Sequence, residues 1–130
     1  MIILDTHVWI WWVNNDRARL RQSWLDLIEG TEHIGVAAIS CFEVAWLSHN
    51  GRLRLPCPLL EWFPQALAEA DIRLLPLSPL IATISVELPP HHGDAHDRMI
   101  IATAVEHDAK LLSADGRFPA YEELRGRLIP

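Results

Sequence analysis

Four short apolar runs, Ile2-Ile3-Leu4, Ile34-Gly35-Val36-Ala37, the run over 72–77 and Lys110-Leu111-Leu112-Ser113, are spread along the chain with stretches of helical periodicity between them. This alternation constrains the fold more than any other feature. Short apolar strands joined by helical crossovers must lie parallel, in a sheet covered on both faces. One helical stretch directly follows Asp5, and a second, with a cap at Asn15-Asp16, carries Leu20, Trp24, Leu27 and Ile28 and stops at Gly30. A third opens at Ser40 and runs to Asn50-Gly51, and others cover 59–70, 79–88 and 94–107. The segment 89–93 reads as a rigid loop, 120–124 as a short helix and Leu128-Ile129 as a last strand. The expectation is a three-layer α-β-α sandwich with a mostly parallel central sheet of four or five strands. With 130 residues, half of them hydrophobic, the chain has enough apolar surface for one domain spanning 1–130.

Composition removes several function classes. A net charge of −6 argues against a non-specific nucleic-acid coat, which is usually strongly basic. It does not argue against a nuclease, since carboxylates that hold cations contribute to the negative total. Lys110 is the only lysine; the other basic residues are arginines, including Arg17, Arg19, Arg21, Arg52, Arg54, Arg98 and Arg117, whose forked donors suit either phosphate or surface ion pairs. Cys41 and Cys57 are too few for a disulfide framework or a thiolate zinc site, so the expected compartment is the cytoplasm. The apolar opening over 1–13 is too short for a membrane span and carries Asp5 and His7, so it reads as core.

In parallel sheets, ligands sit beyond the carboxyl ends of the strands. Four acids fall there: Asp5 after the first strand, Glu43 in the helix after the second, Asp97 at the start of its helix and Asp115 after the fourth strand. Each has a local alternative. Ser40-Cys41-Phe42-Glu43 fits a capping box, Asp94 is a natural helix cap, Asp97 can complement the helix dipole and Asp115-Gly116 is a turn pair. The joint pattern says more. Asp97 precedes Ile100 and Ile101 by three and four residues, which places it over the apolar stripe rather than on the solvent face. Carboxylates gathered at one edge repel one another unless a cation intervenes, and an all-oxygen donor set suits Mg²⁺ or Mn²⁺. A zinc site from His92, His96 and Asp97 is the weaker reading, because Pro89-Pro90 and Gly93 keep His92 off a helix and no soft ligand is near in sequence. The roles of His91, His92 and His96 stay open, and His7 reads as core. Among the tryptophans, Trp9 and Trp12 share a helix face; most of the six are expected in the core, with at least one exposed at an interface.

Four motifs in order, Ile2-Ile3-Leu4-Asp5-Thr6-His7, Ile39-Ser40-Cys41-Phe42-Glu43-Val44, Asp97-Arg98-Met99-Ile100-Ile101-Ala102-Thr103-Ala104 and Leu111-Leu112-Ser113-Ala114-Asp115 followed by Phe118, span nearly the whole chain. In them the chain resembles the PIN-domain family of nucleases, and within it the VapC-type toxins of toxin–antitoxin modules. The resemblance implies Asp5, Glu43, Asp97 and Asp115 as catalytic metal ligands, with Asp94 as a further candidate and Thr6 and Ser113 as supporting hydroxyls. It implies one or two Mg²⁺ or Mn²⁺ ions and endoribonuclease cleavage by water, leaving 5′-phosphate and 3′-hydroxyl ends. It also implies a homodimer, a cognate antitoxin partner and an RNA substrate, with no membrane role. Arg98, His96 and Arg117 are candidate substrate contacts. Two rival readings remain: a non-catalytic RNA-binding or scaffold domain of this fold, and a haloacid dehalogenase-type phosphatase. The phosphatase needs a second acid two residues after the first, where this chain has His7.

Overall fold

The computed structural model describes residues 1–91 and 94–130. Five parallel strands form one sheet: β1 (Ile2–Leu4), β2 (Ile34–Ala37), β3 (Ile72–Leu75), β4 (Lys110–Leu112) and β5 (Leu128–Ile129), in the order β3-β2-β1-β4-β5. The chain therefore builds outward from β1 to β3, then returns across the sheet to lay β4 against the other side of β1. This reversal makes the carboxyl ends of β1 and β4 the switch point where such sheets leave a crevice. Leu4 lies opposite Leu112, so Asp5 and Ser113 emerge side by side.

Alternation along each strand feeds two cores. Ile2, Leu4, Ile34, Val36 and Leu112 face α1 (Thr6–Val13), α2 (Gln22–Glu29) and α4 (Leu59–Ala66) through Trp9, Trp24 and Trp62. Ile3, Ala37, Leu75 and Leu111 face the other way, against Leu88, Phe118, Tyr121 and the Ile100, Ile101 and Ala104 stripe of α6 (Ala95–Glu106). The helix α3 (Ala38–His49) follows β2 without a break, and α5 (Pro79–Glu87) packs along α6. Gly35 sits in a crowded part of the sheet: a Cβ there would lie 3.0 Å from Leu75 Cδ1, so that side chain would have to give way.

Several boundaries differ from the sequence reading. The helix expected over 59–70 ends at Ala66, and Leu67 to Asp71 form turns that close with Asp71 at positive φ. Pro76 stops β3 at Leu75, because proline cannot donate to the ladder. The segment after Asn15-Asp16 is a single 3₁₀ turn, Arg17–Arg19, before α2 begins at Gln22, and the short helix expected over 120–124 is two 3₁₀ turns, Phe118–Ala120 and Glu122–Leu124. Trp9, Trp24 and Trp62 are buried as expected, Trp11 and Trp12 are half-buried, and Trp46 is exposed. His7, expected in the core, is exposed. Among the described residues no helix is long and apolar enough to cross a membrane.

Candidate active site

The end of β1 delivers Asp5 as the cap of α1, and its Oδ1 accepts the Thr6 N–H at 2.8 Å. Its other oxygen, Oδ2, accepts from the Ser113 hydroxyl at 2.7 Å, a bond that the β1–β4 pairing brings within reach. Ser113 in turn accepts the Asp115 N–H at 3.0 Å and so sets the loop that carries Asp115. The Thr6 hydroxyl donates to Glu43 Oε1 at 3.0 Å and lies 2.8 Å from the Ser40 hydroxyl. Ser40 is fully buried and is not a helix cap, since α3 starts at Ala38; the capping-box reading of Ser40 and Glu43 is overturned. The two residues instead share the helix face turned to Thr6, a role for Ser40 that its spacing of three from Glu43 allows.

Asp94 caps α6, accepting from the N–H groups of His96 and Asp97 at 2.9 Å and 3.3 Å. Asp97 stands one turn in, buried over the apolar stripe. Asp5, His7, Glu43, Asp94, Asp97, Ala114, Asp115 and Arg117 line one cleft of about 290 Å³ at the switch point. The carboxyl groups feel one another there. Burial pushes the Asp97 carboxyl up to about 7, and Asp94, Asp5 and Asp115 add to the rise, while Arg117 opposes it. Glu43 is likewise pushed up to about 7 by burial, against the Thr6 hydrogen bond, with Asp5, Asp97 and Asp94 raising it further. Asp5 is also raised by burial, although its bonds from Ser113 and Thr6 hold it down.

Arg117 provides the countercharge. Its Nε and Nη2 bind Asp115 Oδ1 and Oδ2 at 3.0 Å and 2.7 Å, and Nη2 reaches Asp97 Oδ2 at 3.2 Å. Asp115 also accepts the Arg117 N–H at 2.9 Å, the turn that its pairing with Gly116 suggested. The donor set fits a hard dication in its chemistry: all oxygen, partly dehydrated and short of positive charge. Among the described residues no three such groups are drawn tightly enough to form a coordination cluster, which accords with mutual repulsion and with a guanidinium bridging two of the acids.

The other expected contacts separate. His96 packs its ring edge-on to Phe42 at 5.3 Å and lines a neighbouring cavity with Glu43 and Trp46. His91 lies against Tyr121, rings 4.8 Å apart, and His92 falls outside the described residues. Arg98 does not line the cleft. Its guanidinium binds the carbonyl oxygens of Ser85, Val86, Leu88 and Pro89 at 2.5–3.2 Å, closing off the end of α5. The expectation of a substrate contact at Arg98 gives way to this, because the last-turn carbonyls of Ser85 and Val86 in α5, and those of Leu88 and Pro89 just beyond it, lack intrahelical donors.

Residues 2–124 match the family model described as the PIN domain. The chain is 39% identical over 125 residues to Ribonuclease VapC22 of Mycobacterium tuberculosis (strain ATCC 25618 / H37Rv), covering 95% of this chain and 94% of that protein. Its fold is similar to that in the crystal structure of VapBC2 from Rickettsia felis bound to a promoter DNA fragment, with a TM-score of 0.68 at 16% identity over 99% of this chain and 98% of the other. It is also similar to FitAcB from Neisseria gonorrhoeae, with a TM-score of 0.61 at 22% identity over 100% and 97% of the two chains.

Proposed function

The chain belongs to the PIN-domain family, and from that membership we propose that it is a Mg²⁺- or Mn²⁺-dependent endoribonuclease acting as the toxin of a toxin–antitoxin pair. The observation that carries the reading is the cleft itself, which Asp5, Glu43, Asp97 and Asp115 line together at the switch point, with the proton affinities of Asp5, Glu43 and Asp97 raised. Groups that resist ionisation together are stabilised by a cation. Asp5, Glu43, Asp97 and Asp115 would hold it, with Asp94 at the edge. When bound, Mg²⁺ or Mn²⁺ supplies Lewis-acid polarisation of a phosphoryl oxygen and a more acidic water.

The chain's own residues do the rest. Ser113 and Thr6 fix the oxygens of Asp5 and Glu43, so these acceptors are oriented before any ligand arrives. In this reading water, rather than a side chain of the cleft, is the nucleophile. It attacks phosphorus in line, the P–O3′ bond breaks, and the products are a 5′-phosphate and a 3′-hydroxyl. Arg117, half-exposed at the mouth, offers a phosphate the donors it now gives to Asp97 and Asp115.

The partner reading rests on the relatives. A similar fold, at a TM-score of 0.64, is found in a toxin–antitoxin complex from Klebsiella pneumoniae, and an antitoxin that covers the acidic cleft is the corresponding expectation for this chain. A homodimer is part of the same proposal, supported by the exposed Leu74 on the outer strand β3, Leu77 in the link after it and Leu80 at the start of α5. The test is direct: protein freed of any partner is incubated with RNA, with and without Mn²⁺. Cleavage that requires Mn²⁺ and disappears in Glu43→Gln is the expected result. Equal cleavage by wild type and variant assigns the activity to a contaminant and overturns the reading. Turnover of small phosphate esters without RNA cleavage would point to the phosphatase rival.

A further inference from the structure

A second cavity, of about 390 Å³, lies beside the acidic cleft. Arg19, Arg52 and Arg54 stand on its walls, Trp11 lines it, and Asp16 is its one acidic residue among those described. His7 lines both cavities, so they adjoin at that side chain. The lining changes character across it: carboxylates on one side, guanidinium groups and an indole on the other.

We propose that this groove binds the single-stranded stretch of RNA flanking the scissile phosphate, with backbone phosphates on Arg52 and Arg54 and a base against Trp11. The inference rests on the nuclease reading above and names the part of the surface that holds its substrate. Its first support is electrostatic. A polyanion approaching a protein of net charge −6 is repelled unless a local run of positive charge adjoins the site, and three arginines against one aspartate supply that run. Arg19 is paired with Asp16 at 2.9 Å, whereas Arg52 and Arg54 are exposed and, among the described residues, bridge to no carboxylate. Their charge is therefore available to a ligand.

The second support is the interleaving of cations with aromatic faces. Arg19 lies 6.0 Å from the centre of the Trp11 ring, and the His7 and Trp11 rings are 6.1 Å apart; Arg52 also lies 5.9 Å from the ring of Trp46, which lines a separate cavity. Trp11 is half-buried, so its ring is held by the core while one part remains open to the groove. Stacking platforms beside a positive track are how proteins hold single strands without reading their sequence. A protein partner would use the aromatic surface as well, but it would gain little from unpaired arginines unless it were acidic.

The probe is a short fluorescein-labelled single-stranded RNA, and its anisotropy is measured in EDTA so that binding is read without cleavage. Arg52→Gln/Arg54→Gln should bind about tenfold more weakly, as expected for two exposed charge pairs. The slope of log affinity against log salt should flatten by about 1.4, or 0.7 for each lost phosphate contact. Both side chains are exposed, and an unchanged thermal melt verifies the fold. Independently, RNA carrying 5-iodouridine should photo-crosslink to the peptide containing Trp11 in the wild-type protein. Unchanged affinity and salt slope in the double variant overturn the proposal, as does a crosslink confined to other peptides. Loss of binding to a co-expressed partner protein alone assigns the groove to that protein and overturns it equally. Wild type that binds the RNA in EDTA yet never cuts it with Mn²⁺ refutes the nuclease reading and leaves the groove standing.

Discussion

Asp97→Asn isolates the repulsion stored in the cleft from the chemistry it serves. The Asp97 carboxyl is moved from an ordinary value of 3.8 to about 7, first by burial and then by Asp94, Asp5 and Asp115. A rise of about 3 units corresponds to a ceiling of about 4 kcal/mol against the ionised form at alkaline pH. Water in the open cleft and the loss of the Arg117 pair reduce this to about 1–2 kcal/mol. The sign follows from linkage: a raised carboxyl lends stability that is full below about 4 and is lost as the pH rises through about 7. Asparagine does not ionise, so it escapes that loss. In EDTA at pH 8 the variant should therefore melt higher than wild type, by about 4–8 °C for a domain of this size. Below about pH 4 the difference should vanish. With Mn²⁺ the order should invert, since wild type gains stability from the ion and the variant, lacking a ligand, gains little and cuts no RNA. A variant that melts below wild type in EDTA at pH 8, or one that keeps the full Mn²⁺-induced shift, would refute the argument that Asp97 is a strained ligand.

Three further outcomes follow from the same geometry. Arg98→Met leaves the carbonyls of Ser85, Val86, Leu88 and Pro89 without their donors, and should cost about 2–3 kcal/mol in a denaturant titration while Mn²⁺-dependent cleavage persists well below the melting temperature. Arg117→Gln removes the cation that competes for Asp97 and Asp115, so calorimetric Mn²⁺ affinity should rise several-fold; a fall would mean that Arg117 organises the ligands instead of opposing the ion. Ser113→Ala frees Asp5 Oδ2 and the Asp115 N–H together, and Mn²⁺ affinity should drop by about 10–100-fold, as for other groups that orient metal ligands.

The layered architecture was legible because it depends on local composition: runs such as Ile2-Ile3-Leu4 and Lys110-Leu111-Leu112 are too apolar for loops and too short for helices. The acids at the strand ends were legible for a related reason, since parallel strands direct their carboxyl ends to one edge, and Asp97 stood over an apolar stripe that had to face inward. Glu43 was ambiguous because Ser-x-x-Glu describes both a capped helix start and two residues one turn apart. Only the junction of β2 with α3 at Ala37 and Ala38 separates them. Arg98 was not legible at all. Its role depends on where α5 ends relative to α6, a packing distance that neither segment encodes by itself.

The same distinction separates the parts of the cleft by how firmly they are placed. Asp5 and Ser113 are one residue beyond a paired position of adjacent strands, so sheet spacing of about 4.8 Å sets their separation. Glu43 is placed by α3 and tied to that frame through Thr6, while Asp97 is placed by α6, which rests on the opposite core. Sheet spacing cannot change without breaking ladder bonds, but helices can shift over the apolar layers beneath them. Any adjustment that brings the four carboxylates around an ion must therefore come mainly from α6 and the Asp115 loop, and Arg117, which bridges those two elements, lies across that movement.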